Sequence, residues 1–260
     1  MPLDVSQVDR SVLLNSQLAS VICQVRFDPT PRAGEANMVK QLRERLGGEA
    51  AFPKLDQIAE ASVNVSIARA TAPVAVQDNQ TGWRMQSADE RQVVILLPVL
   101  VTLEVFNYEG WDTFSQRLRE VLEAVGELVE PVFEQRLGLR YINQLTVPET
   151  RISTDWVGNV DPHFLGIGAH PEIAGDILYA RQQALLQLDE EVRCTINHGF
   201  APDDDREGAL TYVLDFDLAR EGARSFDVPS ILDAAATFNT YALRLFQIAT
   251  TPELRERLNP

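Results

Sequence analysis

The chain has 260 residues, 45% of them hydrophobic and 23% charged, enough for a sizeable globular core in one large domain or two moderate ones. Its 38 acidic against 23 basic side chains leave a formal charge of −15. Such a surface repels nucleic-acid phosphates and anionic membranes at long range, which argues against direct nucleic-acid binding.

The first 17 residues are polar and read as an arm. Leu18 to Phe27 reads as a strand, stopped by the two prolines of Asp28-Pro-Thr-Pro31. Glu35 to Leu46 reads as a helix with Val39, Leu42 and Leu46 on one face and Gly47-Gly48 as its stop. A loop opens at Phe52-Pro53. Ser62 to Val76 reads as a strand with one covered face, because Val63, Val65 and Ile67 alternate with Asn64, Ser66 and Ala68. Gln77 to Gly82 has turn composition, Trp83 to Ser87 is a short strand, and Ala88-Asp-Glu90 is the next turn. Gln92 to Phe106 is the most apolar strand-like run and is expected near the sheet centre, with a bulge or break at Pro98.

Trp111 to Glu130 carries the clearest helical period, with Trp111, Phe114, Leu118, Leu122, Val125 and Val129 on one side and Pro131 as terminator. Phe133 to Val147 then reads as a strand, so the first 148 residues run β-α-β-β-β-α-β. The stretch from Pro148 to Asp176 has four glycines and no period, as a functional loop or a boundary would. Tyr179 to Phe200 reads as one long, bent strand. An acidic hairpin connection follows at Ala201 to Gly208, then an alternating strand from Ala209 to Leu218. Asp227 can cap a helix that has Pro229 in its first turn and Ile231, Ala235, Phe238, Ala242, Leu245 and Phe246 on one side. Pro252 starts a last helical turn. The fold expected is α+β: antiparallel β-sheets with long amphipathic helices packed on one face, as two similar-sized subdomains or one continuous layer. The first spans 1–148, an irregular connection 149–178, and the second 179–260. No internal repeat is visible.

Within the strand 133–147, the run Arg136-Leu-Gly-Leu-Arg-Tyr-Ile-Asn143 stands out. A period of two puts Leu137, Leu139, Tyr141, Asn143 and Leu145 on one face and Arg136, Gly138, Arg140, Ile142 and Gln144 on the other. Two guanidiniums on one sheet face need carboxylates, a ligand or water. They therefore read either as an anion or partner site or as a structural network with carboxylates such as Glu104 or Glu134. On the other face Asn143 and the Tyr141 hydroxyl need hydrogen-bond partners if the sheet is covered. Asp215 and Asp217 share a strand face and read either as divalent-metal ligands or as ordinary solvent-facing alternation.

The remaining chemistry-bearing residues are sparse. His163 and His170 sit in the irregular stretch near Asp161, Glu172 and Asp176, as solvated histidines or a loop metal site. Cys194 and His198 lie four strand positions apart, about 13 Å, too far for a nucleophile–base pair. Cys23 and Cys194 both lie in apolar strand-like runs and read as buried free thiols. No phosphate loop, nucleophile elbow or Cys-x-x-Cys is present, so no cofactor is expected. Met1-Pro-Leu-Asp-Val has no basic and apolar leader pattern, and no run approaches a membrane span, which together predict a cytoplasmic, reduced setting with no membrane partner.

Taken in order, Leu18 to Phe27, Phe52-Pro53, Gly82-Trp83, Tyr108-Glu-Gly-Trp111, Arg136 to Asn143, Leu214-Asp-Phe-Asp217 and Leu245 to Thr250 resemble a sporadically distributed bacterial protein family of unassigned function. Its members are about this length and share the Gly-Leu-Arg-Tyr-Ile-Asn strand motif found here at 138–143. The chain departs from the family at Ala19-Ser20, where a proline-containing step is expected. The family has no established catalytic residues, so the resemblance transfers none. Its scattered distribution implies mobile or defence-linked genes.

With no constellation of nucleophile, base and orienter, the leading expectation is a non-catalytic binding or adaptor protein that recognises a protein partner. A defence or toxin–antitoxin-like context and a homodimer fit that class. The other reading is a small-molecule or nucleotide-binding sensor or enzyme, anchored on Arg136 and Arg140 with Asp215 and Asp217 as metal ligands. A third is an acidic nucleic-acid mimic.

Overall fold

A computed structural model of the chain describes residues 3–6, 8–9, 17–63, 77–203 and 205–258. The strands are β1 (Leu18–Phe27), β2 (Lys54–Val63), β3 (Gln77–Gln86), β4 (Gln92–Leu97), β5 (Leu100–Val105), β6 (Phe133–Leu145), β7 (Ala180–Gln187), β8 (Arg193–Pro202) and β9 (Leu210–Ser225). The helices are α1 (Ala36–Arg45), α2 (Gly48–Ala51), α3 (Trp111–Val129), α4 (Pro162–Leu165), α5 (Val228–Ala249) and α6 (Pro252–Leu258). The nine strands among the described residues form one sheet in the order β2-β3-β4-β5-β1-β6-β9-β8-β7, and every neighbouring pair is antiparallel.

The expected architecture is corrected on this point. There are not several sheets in two subdomains, each roofed by long helices, but a single nine-stranded antiparallel sheet with a modest helical complement. Apart from α3 and α5, no helix among the described residues exceeds the 10 residues of α1. The physical reason is β6. It pairs β1 on one side and β9 on the other, so it fuses what the sequence reads as separate sheets.

Chain order and sheet order reveal a repetition that the residues conceal. β1 is followed by helices α1 and α2, a meander β2 to β5 that walks back to β1, and then α3. β6 is followed by short helical turns, a meander β7 to β9 that walks back to β6, and then α5. The second half repeats the first with one strand fewer, and the two founding strands lie antiparallel at the sheet centre.

The core lies against one sheet face. β1 contributes Val21, Cys23, Val25 and Phe27, β6 contributes Leu137, Leu139, Tyr141 and Leu145, and β9 contributes Leu210, Tyr212, Leu214, Phe216 and Leu218. Helix side chains such as Leu42, Leu118, Leu122, Phe238 and Leu245 join the same cluster. Each such burial is worth about 1.5–3 kcal/mol. Asp227 caps α5 by accepting the Ser230 amide at 2.9 Å. At the C-terminal end of α3 Glu130 turns left-handed (φ 54°) ahead of Pro131.

Several local expectations change. The apolar run 92–106 is a hairpin, with Pro98-Val99 as the turn between β4 and β5. The segment 77–82 is strand, not turn. Its Gly82 is needed because a Cβ there would lie 2.3 Å from the Leu97 side chain and 2.5 Å from the Leu96 carbonyl. The long strand 179–200 is two strands, broken where the Asp189 carboxylate accepts the amides of Glu191 and Val192. The strand expected at 62–76 lies mostly outside the described residues; Ser62 and Val63 end β2. The described residues of the N-terminal arm dock: the Leu3 amide donates to the Leu188 carbonyl, and Arg244 donates to the Asp4 carbonyl.

Candidate functional site

β6 is a strand because large apolar residues recur at every second position, and it places its two arginines on the face away from the core. The pairing partners on that face decide their surroundings. Arg140 stands opposite Asp217 on β9, and Ile142 stands opposite Asp215. Arg140 grips Asp215 with both ends of its guanidinium, Nε to Oδ1 and Nη2 to Oδ2 at 2.7 Å each. Asp215 is buried and also accepts from Asn197 Nδ2 at 3.2 Å; Asn197 in turn accepts from Gln183 at 2.7 Å. A polar chain thus crosses four strands, β6, β9, β8 and β7. The Arg140 guanidinium is held more firmly protonated than usual, first by its hydrogen bonds to Asp215.

Arg136 is less well answered. Its Nη2 is 3.7 Å from Asp217 Oδ1, beyond hydrogen-bonding reach. Its guanidinium occupies the space over Gly138, where a Cβ would stand 2.5 Å from Nη1. Burial pushes the Asp217 carboxyl up from the usual carboxylate range; the nearby Arg136 and Arg140 pull it down, and Asp215 pushes it up.

The two aspartates singled out as metal ligands are therefore the counter-charges of the two arginines. Among the described residues, no group of three or more His, Cys, Asp or Glu side chains is placed to hold a metal ion. The carboxylates that the sequence offers as partners, Glu104 and Glu134, sit elsewhere. Glu134, fully buried, forms its own two-pronged pair with Arg220 at 2.9 and 3.1 Å. Glu104 acts on Arg140 only at longer range.

Tyr141 and Asn143 do not join this network, because they point to the opposite face. The Tyr141 hydroxyl donates to Asn239 Oδ1 on α5 at 2.8 Å, and its ring meets Tyr108 edge-on. Asn143 donates to the Leu214 carbonyl at 3.0 Å. Both satisfy buried polar groups of the core, and burial drives the Tyr141 hydroxyl well above its ordinary pKa.

His198 is buried on the core side, with Nδ1 2.9 Å from the Tyr212 hydroxyl, which itself donates to the Phe164 carbonyl at 2.7 Å. Burial lowers its pKa and keeps it neutral. His163 leans on Asp161 at 2.8 Å, and His170 accepts the Glu172 amide at 3.3 Å. The Cys23 and Cys194 thiols are free, buried and pushed up to about 12 by burial, which makes them poor nucleophiles.

No protein-family model and no curated protein matches this chain.

Two features of the surface escape a reading of the sequence. The first is Arg26, which stands directly across from Arg136 on β1. Its only signal is that Gln24 and Arg26 alternate with Val21, Cys23 and Val25, and it gains meaning once the β1–β6 register is known. The second is β7, the last strand of the sheet at one edge. Five of its eight residues in a row, Arg181 to Leu185, are exposed. Leu185 is 68% exposed, and Leu178 and Tyr179, just before it, are 78% and 62% exposed.

Proposed function

We propose that this protein recognises a protein partner, and that β7 is the recognition element. An extended segment of the partner adds to it as a further strand. Backbone hydrogen bonds supply affinity in that mode, and alternate side chains supply specificity. The observation that carries the reading is the unguarded edge. Natural edge strands are blunted by lysines, prolines, bulges or a covering element. β7 has a single charged residue, Arg181, no proline and no register shift against β8. The exposed apolar groups of Leu178 and Tyr179 just before it and of Leu185 within it would be covered by a bound segment. The net charge of −15 favours a partner with a basic surface and speeds its encounter at low salt.

Alternate amides of an edge strand point outward, so one of Ala184 and Leu185 has an amide free for a partner and the other donates to β8. Proline at the outward position removes the free donor and leaves the sheet intact. Of Ala184→Pro and Leu185→Pro, the variant that keeps the wild-type circular dichroism is the informative one. It is expected to lose, by at least about tenfold, the protein that the wild type captures from the native host, whereas Arg193→Gln retains it. Equal capture by the folded proline variant removes β7 from recognition. If the wild type is a dimer and the proline variant a monomer, the segment that adds to β7 belongs to a second copy.

A further inference from the structure

We propose that Arg26 and Arg136 form a binding site for a doubly charged tetrahedral oxyanion, inorganic phosphate or a phosphate monoester, on the polar face of the sheet. The two residues are direct cross-strand partners in the antiparallel β1–β6 ladder. Side chains so placed leave the strand about 4.5–5.5 Å apart, and like charges in this position destabilise a sheet. Arg140, two steps along β6, escapes the problem because Asp215 neutralises it with two short hydrogen bonds. Arg26 has no such answer. Among the described residues its guanidinium contacts only the Gln24 side-chain carbonyl, at 3.2 Å, and the residue is exposed.

The other charges on this face do not close the gap. Asp217 is shared between two arginines and stays 3.7 Å from Arg136. Glu221 faces Arg136 across β9 but makes no ion pair with it. Glu104 lies one strand beyond Ile22 and exerts its pull on Arg140. Asp28, past the end of β1, is taken by Gln135 at 2.6 Å.

The backbone is arranged around the pair. Both ladders of β6 shift register here: against β1 between Arg26 and Phe27, against β9 between Glu134 and Arg136. A bulge of this kind re-aims the side chains beside it. Gly138 leaves the space that the Arg136 guanidinium occupies beside its own strand. Two forked guanidiniums across a tetrahedral oxyanion can donate to several of its oxygens at once, and the anion removes the repulsion between them. The site is independent of β7, and the two readings fail separately.

The probe is inorganic phosphate, titrated at constant ionic strength with chloride as the control and read by amide chemical shifts and by the thermal midpoint. Saturable shifts are expected at residues 26, 136 and 138, with a midpoint that rises in phosphate and not in chloride. Arg26→Gln and Arg136→Gln are each expected to weaken phosphate binding by about tenfold or more, whereas Arg193→Gln on the same face binds as the wild type does. Gly138→Ala pushes the Arg136 guanidinium aside without disturbing the strand and is expected to weaken binding with Arg26 and Arg136 both present. Without phosphate, Arg26→Gln should melt no lower than the wild type, because the repulsion it relieves offsets the single exposed hydrogen bond to Gln24 that it gives up. Absence of saturation, unchanged affinity in the two glutamine variants, or a lower midpoint for Arg26→Gln without phosphate would each overturn the site.

Discussion

Single side chains in this protein divide into those that answer a buried charge and those that stand without an answer. Glu134 is the clearest of the first kind. It is 1% exposed and, among the described residues, is paired with Arg220 on the same, core-facing side of the sheet. Arg220→Met would leave that carboxylate charged and unpaired in the interior, which costs about 3–5 kcal/mol. Adding Glu134→Gln should recover most of the loss. Denaturant midpoints of the single and double variants check both statements, and additive losses would mean that the pair is not coupled.

His198 gives the molecule a defined response to acid. Burial lowers its pKa in the folded state, so the unfolded chain binds the proton more readily. Stability therefore rises with pH while the unfolded histidine titrates, is complete above about 6.5, and is lost as pH falls below that value. Replacing His198 with Gln keeps a polar group near Tyr212 and abolishes the titration. The wild type should lose stability between pH 7 and 5.5 more steeply than His198→Gln, measured as midpoint against pH. Parallel curves would assign the acid response to other groups.

At the scale of elements, glycine shows where composition misleads. Gln77 to Gly82 reads as a turn because Asn, Asp and Gly cluster there, yet β3 runs straight through it. Gly82 is needed for close approach to β4, since a Cβ would meet the Leu96 carbonyl and Leu97. Gly82→Ala should therefore destabilise the fold by more than the roughly 1 kcal/mol of an ordinary strand substitution, read as a lower denaturant midpoint. The opposite error occurs at 188–192. Those residues look like strand interior, but the Asp189 carboxylate folds them into a turn and also accepts the Tyr241 hydroxyl from α5. A side chain that caps its own turn is legible from sequence. One that is fixed by a helix fifty residues away is not.

For the whole molecule, local pattern was legible and pairing was not. Strand periodicity located β1, β6 and β9 and divided the β6 side chains between two faces, because alternation is a property of a strand and its own neighbours. Sequence pattern does not decide between two subdomains and one continuous sheet, because the sheet depends on β6 meeting β1 and β9 across large sequence separations. The candidate site shows the same division. Arg136, Arg140, Asp215 and Asp217 each stand out in the sequence, but their union is a fact of register, and so is the part played by Arg26. The repetition of the two halves leaves no sequence trace because it lies in topology: an edge-ward crossover, a returning meander and a closing helix.

The central β1–β6 ladder also sets a timetable. A ribosome adding roughly 5–20 residues per second finishes β1 some seconds before β6 emerges, since the chain between Phe27 and Phe133 must be made first. Through that interval one side of β1, with Val21, Cys23 and Val25 among its residues, has no strand beside it. The nascent protein thus passes through a sticky half-built stage whose length is fixed by translation speed, so the yield of soluble product should depend on how fast the message is read as well as on how stable the finished molecule is.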